Sequence, residues 1–153
     1  MSTLARLAGA VLLVGVAPPL IAADPPKEEA AKKHLERTQG TWKIVTLEAD
    51  GDQAPAEIVA TLKLVFQGDK LTFTPGEPGF TNYTYKLDPA AKPAGFDMTH
   101  ADGPDKGKTQ KGIYSFEGDS LKICFGEAGR RPREFTAKAG SGQAMFVLKR
   151  QKP

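Results

Sequence analysis

The sequence predicts an all-β domain, an antiparallel sandwich or barrel with one short helix between its first and second strands. Three observations predict it. Short runs rich in Val, Ile, Thr, Tyr and Phe recur between residues 41 and 150, punctuated by Gly, Asp and Pro; many short, evenly spaced strands with turn signals mark antiparallel sheets. One pattern of hairpin residues occurs twice at a constant offset. One run alone, PAEIVATL, breaks the β texture and opens on proline.

The chain begins MSTLARLAGAVLLVGVAPPLIAADPPK. Arg6 is a positive end, Leu7 to Val16 an apolar run too short to span a bilayer, and Ile21-Ala22-Ala23 a small-residue cleavage site before Asp24. This is the order of a secretory signal, so residues 1–23 are expected to be removed and the product to be secreted or periplasmic. No cysteine stands at the cleavage site to take a lipid, and no stable membrane span is expected after cleavage. Residues 24–38 are a charged, Ala-rich leader that forms a short helix through Lys27–Arg37 or stays loose. Residues 39–153 are one domain.

Strands are expected near Thr41–Glu48, Leu62–Phe66, Lys70–Thr74, Phe80–Leu87, Gly95–His100, Lys108–Glu117, Ser120–Gly126, Arg133–Lys138 and Ala144–Arg150. Pro55 to Leu62 is expected to be the helix, since proline suits a first helical turn. The repeated pattern is FQGDKLTFTPGEPG (Phe66–Gly79) against FEGDSLKICFGEAG (Phe116–Gly129), fifty positions apart. Each reads as a hairpin whose Gly-Asp forms a type II′ turn, with Gly supplying the positive φ. That turn sets Phe66 opposite Leu71, Leu64 opposite Phe73, Phe116 opposite Leu121 and Tyr114 opposite Ile123, all on one buried face.

The chain carries 21 basic and 18 acidic residues; without Arg6, the one charge of residues 1–23, the net is +2. Scattered lysines at that balance do not point to nucleic acid. Gly107-Lys108-Thr109 has the ending of a phosphate loop but not its body. That loop needs four residues between its glycines, and Gly103 to Gly107 has three. Asp102 would repel phosphate, Pro104 lacks an N–H donor, and the following KTQKGIYSFEG alternates like a strand. No nucleotide is expected. Cys124 is the only cysteine, so no internal disulfide forms; the hairpin sets it opposite Ile113 on the face away from Leu121 and Ile123, as a packed or edge thiol.

Gly40-Thr41-Trp42, at the head of the first strand, resembles the G-x-W of lipocalins. The resemblance implies a single antiparallel lipocalin-like β-barrel of about eight strands, with the tryptophan closing one end under an arginine from the last strand. Phe146, Leu148 and Arg150 share a face by alternation, so Arg150 is the arginine in phase. A further resemblance covers nearly the whole chain after the leader, through LERTQGTWKIVTLEADGDQAPAE, LVFQGDKLTF, YKLDPAAKPAGFDMTHADGPDKGKTQKGIYSFEGDSLKICFGEAGRRPREF and GSGQAMFVLKR. These are similar to a family of exported, lipocalin-like domains of planctomycete bacteria. It implies fold and export and brings no catalytic residues.

By parity Tyr83, Tyr85, Phe96, Met98, His100 and Tyr114 share the inward face. They are the candidate ligand-binding residues, because an eight-stranded barrel can hold one small ligand oriented by a few polar groups such as Tyr and His; the same residues serve equally as core filling. Asp97, His100, Asp102 and Asp105 lack metal-ligand spacing, and no metal or cofactor is expected. Glu77 and Glu127 read as solvated turn residues. The leading expectation is a binding module for a small, largely apolar molecule. The alternatives are a filled structural or protein-interaction barrel, decided by cavity volume, and a hydrolase or isomerase, marked by a buried Tyr/His pair with shifted pKa values. Oligomeric state is not legible.

Overall fold

The computed structural model describes residues 25–74 and 82–153. The predicted signal, Glu77, and the Phe80–Thr81 end of one predicted strand lie outside them. Helix α1 (Pro25–Thr38) leads into β1 (Gly40–Ala49), which folds back through a two-residue β2 (Asp52–Gln53). The single-turn α2 (Ala56–Val59) precedes β3 (Lys63–Gln67), β4 (Lys70–Thr74), β5 (Asn82–Asp88), β6 (Gly95–His100), β7 (Thr109–Glu117), β8 (Ser120–Phe125) and β9 (Ala144–Arg150).

Each strand from β3 to β9 pairs antiparallel with the next, β1 pairs with β3, and β9 returns to β1. Eight strands therefore close into an up-and-down barrel, with β2 a short appendage on β1. Closure leaves no unpaired edge along the circle. The two hairpins adopt the register that their turns require: Leu64 faces Phe73, Phe66 faces Leu71, Tyr114 faces Ile123 and Phe116 faces Leu121. Gly68 and Gly118 have φ of +62° and +58°. Each precedes an aspartate without positive φ, as a type II′ turn demands.

Two expectations need correction. Residues 133–138 form no strand. β8 is already paired on both sides, by β7 and β9, so a ninth strand has no edge to join. The segment instead drapes over the outside of β8, where Ala137 is buried with Ile113 and Cys124 in a small second core. The Pro55–Leu62 helix shortens to one turn, with Pro55 just before it at φ −55° and ψ 137°, and it packs on β1. Of the two states expected for the leader, the structure has the helix, as α1.

Isolated helices of this length are marginal in water, and α1 is charged along most of its sequence. It is held by its C-terminal end, where the last four carbonyls of a helix lack partners of their own. Leu35 O accepts from Thr38 Oγ1 (2.7 Å) and Gln39 Nε2 (3.0 Å), and Glu36 O from the Gln39 amide at 3.3 Å. Arg37 O accepts from Arg150 Nη2, and Thr38 O from the Trp42 indole at 2.7 Å. The Arg150 guanidinium also donates to Gln39 O at 2.6 Å and lies 4.4 Å from the centre of the Trp42 ring. Gly40 sits beneath it at φ +111°, where a Cβ would come within 3.3 Å of Arg150 Nη1. One cation thus caps the helix, neutralises the negative end of its dipole and covers a fully buried tryptophan.

Trp42→Ala is expected to cost about 3–5 kcal/mol in a urea titration, by cavity formation and loss of the ring beneath Arg150. Arg150→Leu is expected to preserve the β circular dichroism while accelerating amide exchange in the last turn of α1; unchanged exchange there would show that the cap does not hold the helix.

Candidate functional site

The barrel is asymmetric along its axis. At the end that carries the Gly68 and Gly118 turns, α1 lies across the opening. Gln39 clamps the Gly68 turn with both side-chain ends, its Nε2 donating to Gly68 O at 3.1 Å and its Oε1 accepting from Gly68 N at 2.7 Å. Thr38 Oγ1 lies 2.7 Å from the Tyr85 hydroxyl. The Arg37 guanidinium stands 4.3 Å over the Phe116 ring, and His34 Nδ1 meets the Tyr114 hydroxyl at 2.7 Å. Below the helix Phe96 is wholly buried, stacked on Tyr85 at 5.5 Å and edge-on to Phe66, Tyr114 and Phe125. Three of the six predicted binding residues, Tyr85, Phe96 and Tyr114, are therefore packed into this closed half.

The other end holds a recess of about 320 Å³. Phe73, Tyr83, Met98, Phe125 and Phe146 form its apolar wall, and Gln110 supplies a polar edge. The rings contact one another at 5.5 Å (Phe73–Tyr83), 6.3 Å (Phe73–Phe146) and 6.0 Å (Phe125–Phe146), edge to face as aromatic quadrupoles prefer. Tyr83 and Met98 of the predicted set line it. His100 stands beside it, paired in register with Tyr83 and 4.8 Å from that ring. A second hollow of about 450 Å³, with His100, Asp105 and Lys108 in its wall, adjoins the first and shares Gln110 and Gly126 with it.

Sequence reasoning did not select Phe73, Phe125 and Phe146, although the hairpin register already set Phe73 inward and alternation did the same for Phe146. It passed over His34 as a leader residue; nothing in local sequence signals a contact with Tyr114 eighty positions away. The three aspartates make separate contacts: Arg131 pairs with Asp97 at 2.7 Å, Lys108 with Asp105 at 2.6 Å, and Asn82 donates to Asp102 at 2.7 Å. Among the described residues no three His, Cys, Asp or Glu side chains gather as a metal site would require. Residues 103–107 form the loop entering β7. Burial pushes the Cys124 thiol up, away from the thiolate form, and Thr136 O lies 3.4 Å from its Sγ.

A hollow of about 510 Å³ lies outside the barrel along residues 126–134 and 141–143. Arg130 and Arg133 share its wall with Glu127 and Glu134, and it has no aromatic floor. The smaller barrel recess is the better candidate, because ligand sites combine an apolar wall with few polar groups.

Two Tyr/His pairs exist. Burial, with the charge of Asp102 second, raises the Tyr83 pKa, and burial raises that of Tyr114 further, with Asp88 adding to it. Both phenols hold their protons more firmly than a free tyrosine, the opposite of a proton donor tuned towards neutral pH. None of the recesses described here is lined by His34 or Tyr114.

Among the described residues these features define a closed, eight-stranded, up-and-down antiparallel β-barrel with one packed end and a recess at the other. No protein-family model and no curated protein matches the chain. Among solved structures it is similar to an asparagine-to-alanine mutant of the fluorescent protein UnaG, at 15% identity, over 78% of this chain and 99% of that chain, with a TM-score of 0.41. Among the described residues no helix is long and apolar enough to cross a membrane.

Burial, reinforced by Arg37, lowers the His34 pKa below its ordinary 6.5. The unfolded chain therefore binds this proton more readily than the folded one. The contribution of His34 to stability is complete above pH 6.5 and is lost as the pH falls through the lower folded value. The melting temperature is expected to drop between pH 7.5 and pH 5.5, and His34→Gln to flatten that drop; equal slopes for both proteins would assign the dependence elsewhere.

Proposed function

We propose that this chain is an exported binding module that takes a small, largely apolar molecule into the open end of the barrel. The observation that carries the reading is the aromatic recess of about 320 Å³ inside a barrel whose other end is packed shut. Ligand pockets span roughly 300–1,000 Å³, so this one suits a ligand of one or two fused rings rather than a long acyl chain. Tyr83 and Met98 are the binding residues of the predicted set, joined by Phe73, Phe125, Phe146 and Gln110. Tyr85, Phe96 and Tyr114 form the floor. Export rests on the sequence of residues 1–23. Membership of the planctomycete family of exported domains rests on the ordered motifs, with Gly40, Trp42 and Arg150 as its structural signature.

The second reading, a barrel that serves only as a packed scaffold, is favoured by the fully buried Phe96 layer, which fills the closed half. Binding is preferred because that layer stops short of the open end. A reaction is not part of the proposal, since both candidate phenols are raised away from neutrality.

The test is native mass spectrometry of the protein purified gently from its source. The expected result is an added mass that disappears on denaturation, and that a Met98→Trp variant, whose indole would fill the recess, fails to carry. A bare wild-type chain that also ignores small apolar probes would turn the assignment to the packed scaffold.

A further inference from the structure

Two buried polar atoms near the recess make no hydrogen bond: His100 Nδ1, whose ring lines the adjoining hollow, and Asp102 Oδ1. His100 follows Met98 by two residues on the inward face of β6 and stands directly opposite Tyr83. Its Nδ1 is shut from solvent and makes no hydrogen bond. Asp102, two residues further, holds Asn82 with Oδ2, while its Oδ1 is equally buried and equally without a hydrogen bond. The same geometry leaves Asp97 Oδ1 without a hydrogen bond, but Arg131 Nη2 lies 2.7 Å away and forms an ion pair with it. His100 and Asp102 are therefore the two groups left to explain. Buried polar groups in folded proteins nearly always have partners, and exceptions beside a cavity point to something the cavity takes up.

The charge around the recess is one-sided. No lysine or arginine lines the aromatic recess. Lys108 stands in the adjoining hollow but is paired with Asp105 at 2.6 Å, and Arg131 is committed to Asp97 and to Gly112 O, the latter at 2.7 Å. Asp102 is tied to the recess wall through Asn82, the chain neighbour of Tyr83: the Asn82 side-chain amide donates to it at 2.7 Å. A ligand carboxylate placed here would meet Asp102 as a like charge. A donor would meet Asp102 Oδ1, which as a carboxylate oxygen only accepts, and His100 Nδ1, which accepts when the ring proton sits on Nε2.

Resting on the binding reading above, we propose that the recess selects flat apolar molecules bearing a hydrogen-bond donor head, an ammonium or an N–H, and discriminates against carboxylates. The rings occupy the Phe73–Phe146 wall, and the head is taken by Asp102 with His100 beside it. The preference runs against the +2 net charge of residues 24–153, which by itself would favour anions; it is a property of the rim rather than of the whole molecule.

The experiment uses three probes with one ring system, naphthylmethylamine, naphthylmethanol and naphthoate, titrated calorimetrically into the purified protein near neutral pH. The amine is expected to bind at least about tenfold more tightly than naphthoate, as a charge-assisted hydrogen bond would give. Asp102→Asn is expected to remove most of that preference while the protein keeps its wild-type β circular dichroism. Naphthoate binding as tightly as the amine, or a preference that survives Asp102→Asn, would overturn the head-group proposal and leave the recess intact as a binding site. Amine binding that persists in a folded Met98→Trp variant would place it outside the recess and overturn the proposal too. If none of the three probes binds, the binding reading itself fails and takes this proposal with it.

Discussion

The guanidinium of Arg150 is the piece on which the closed end depends. It joins the last strand, the first strand and the preceding helix in one contact: over Trp42, against Gln39 O and Arg37 O. A cation over an indole contributes roughly 0.5–2 kcal/mol, and a cation at a helix C-terminus adds a further fraction of that. The larger effect is geometric. The barrel closes where β9 meets β1, with Trp42 directly opposite Arg150, so the residue that finishes the sheet also anchors the lid.

With that anchor in place, the remaining contacts of α1 follow from its position. Gln39 holds one hairpin turn through Gly68, and Arg37 reaches the other, at Gly118 O. The two turns are the chemically matched Gly-Asp pairs, so one short stretch of chain clasps two equivalent structures. Beneath it the aromatic rings pack edge to face, and their bulk consumes the interior up to Phe96. Past that layer, Phe73, Phe125 and Phe146 pack edge to face along the wall of the recess. The barrel owes its asymmetry to where its large side chains run out.

Legibility in the sequence followed the range of the interaction. The hairpin registers were readable because a two-residue turn with Gly at its first position ties each strand to its neighbour within a few residues. Trp42 and Arg150 were readable only through resemblance and parity. The Arg133–Lys138 segment has acceptable strand composition, but composition cannot show that β8 has no free edge. Parity placed six residues inward, yet depth along the axis separates Tyr83 and Met98 at the recess from Tyr85, Phe96 and Tyr114 beneath it. Alternation on β1 changes phase at the bulge between Ile44 and Thr46: Val45, after buried Ile44, is 53% exposed, and Leu47 then turns inward opposite Phe146.

The sequence by itself determined the antiparallel strands, the two tight hairpins, the inward face and the lone, uncrosslinked cysteine, because each is set by alternation, turn chemistry or composition over a short span. Only the tertiary structure decided that the charged leader is a lid, that His34 meets Tyr114, that Tyr85, Phe96 and Tyr114 lie beneath that lid while Tyr83 and Met98 line the recess, and that His100 Nδ1 and Asp102 Oδ1 are left without hydrogen bonds. Those outcomes depend on which side chains arrive at the same height of a closed barrel from strands far apart in the chain, and no local pattern encodes that height.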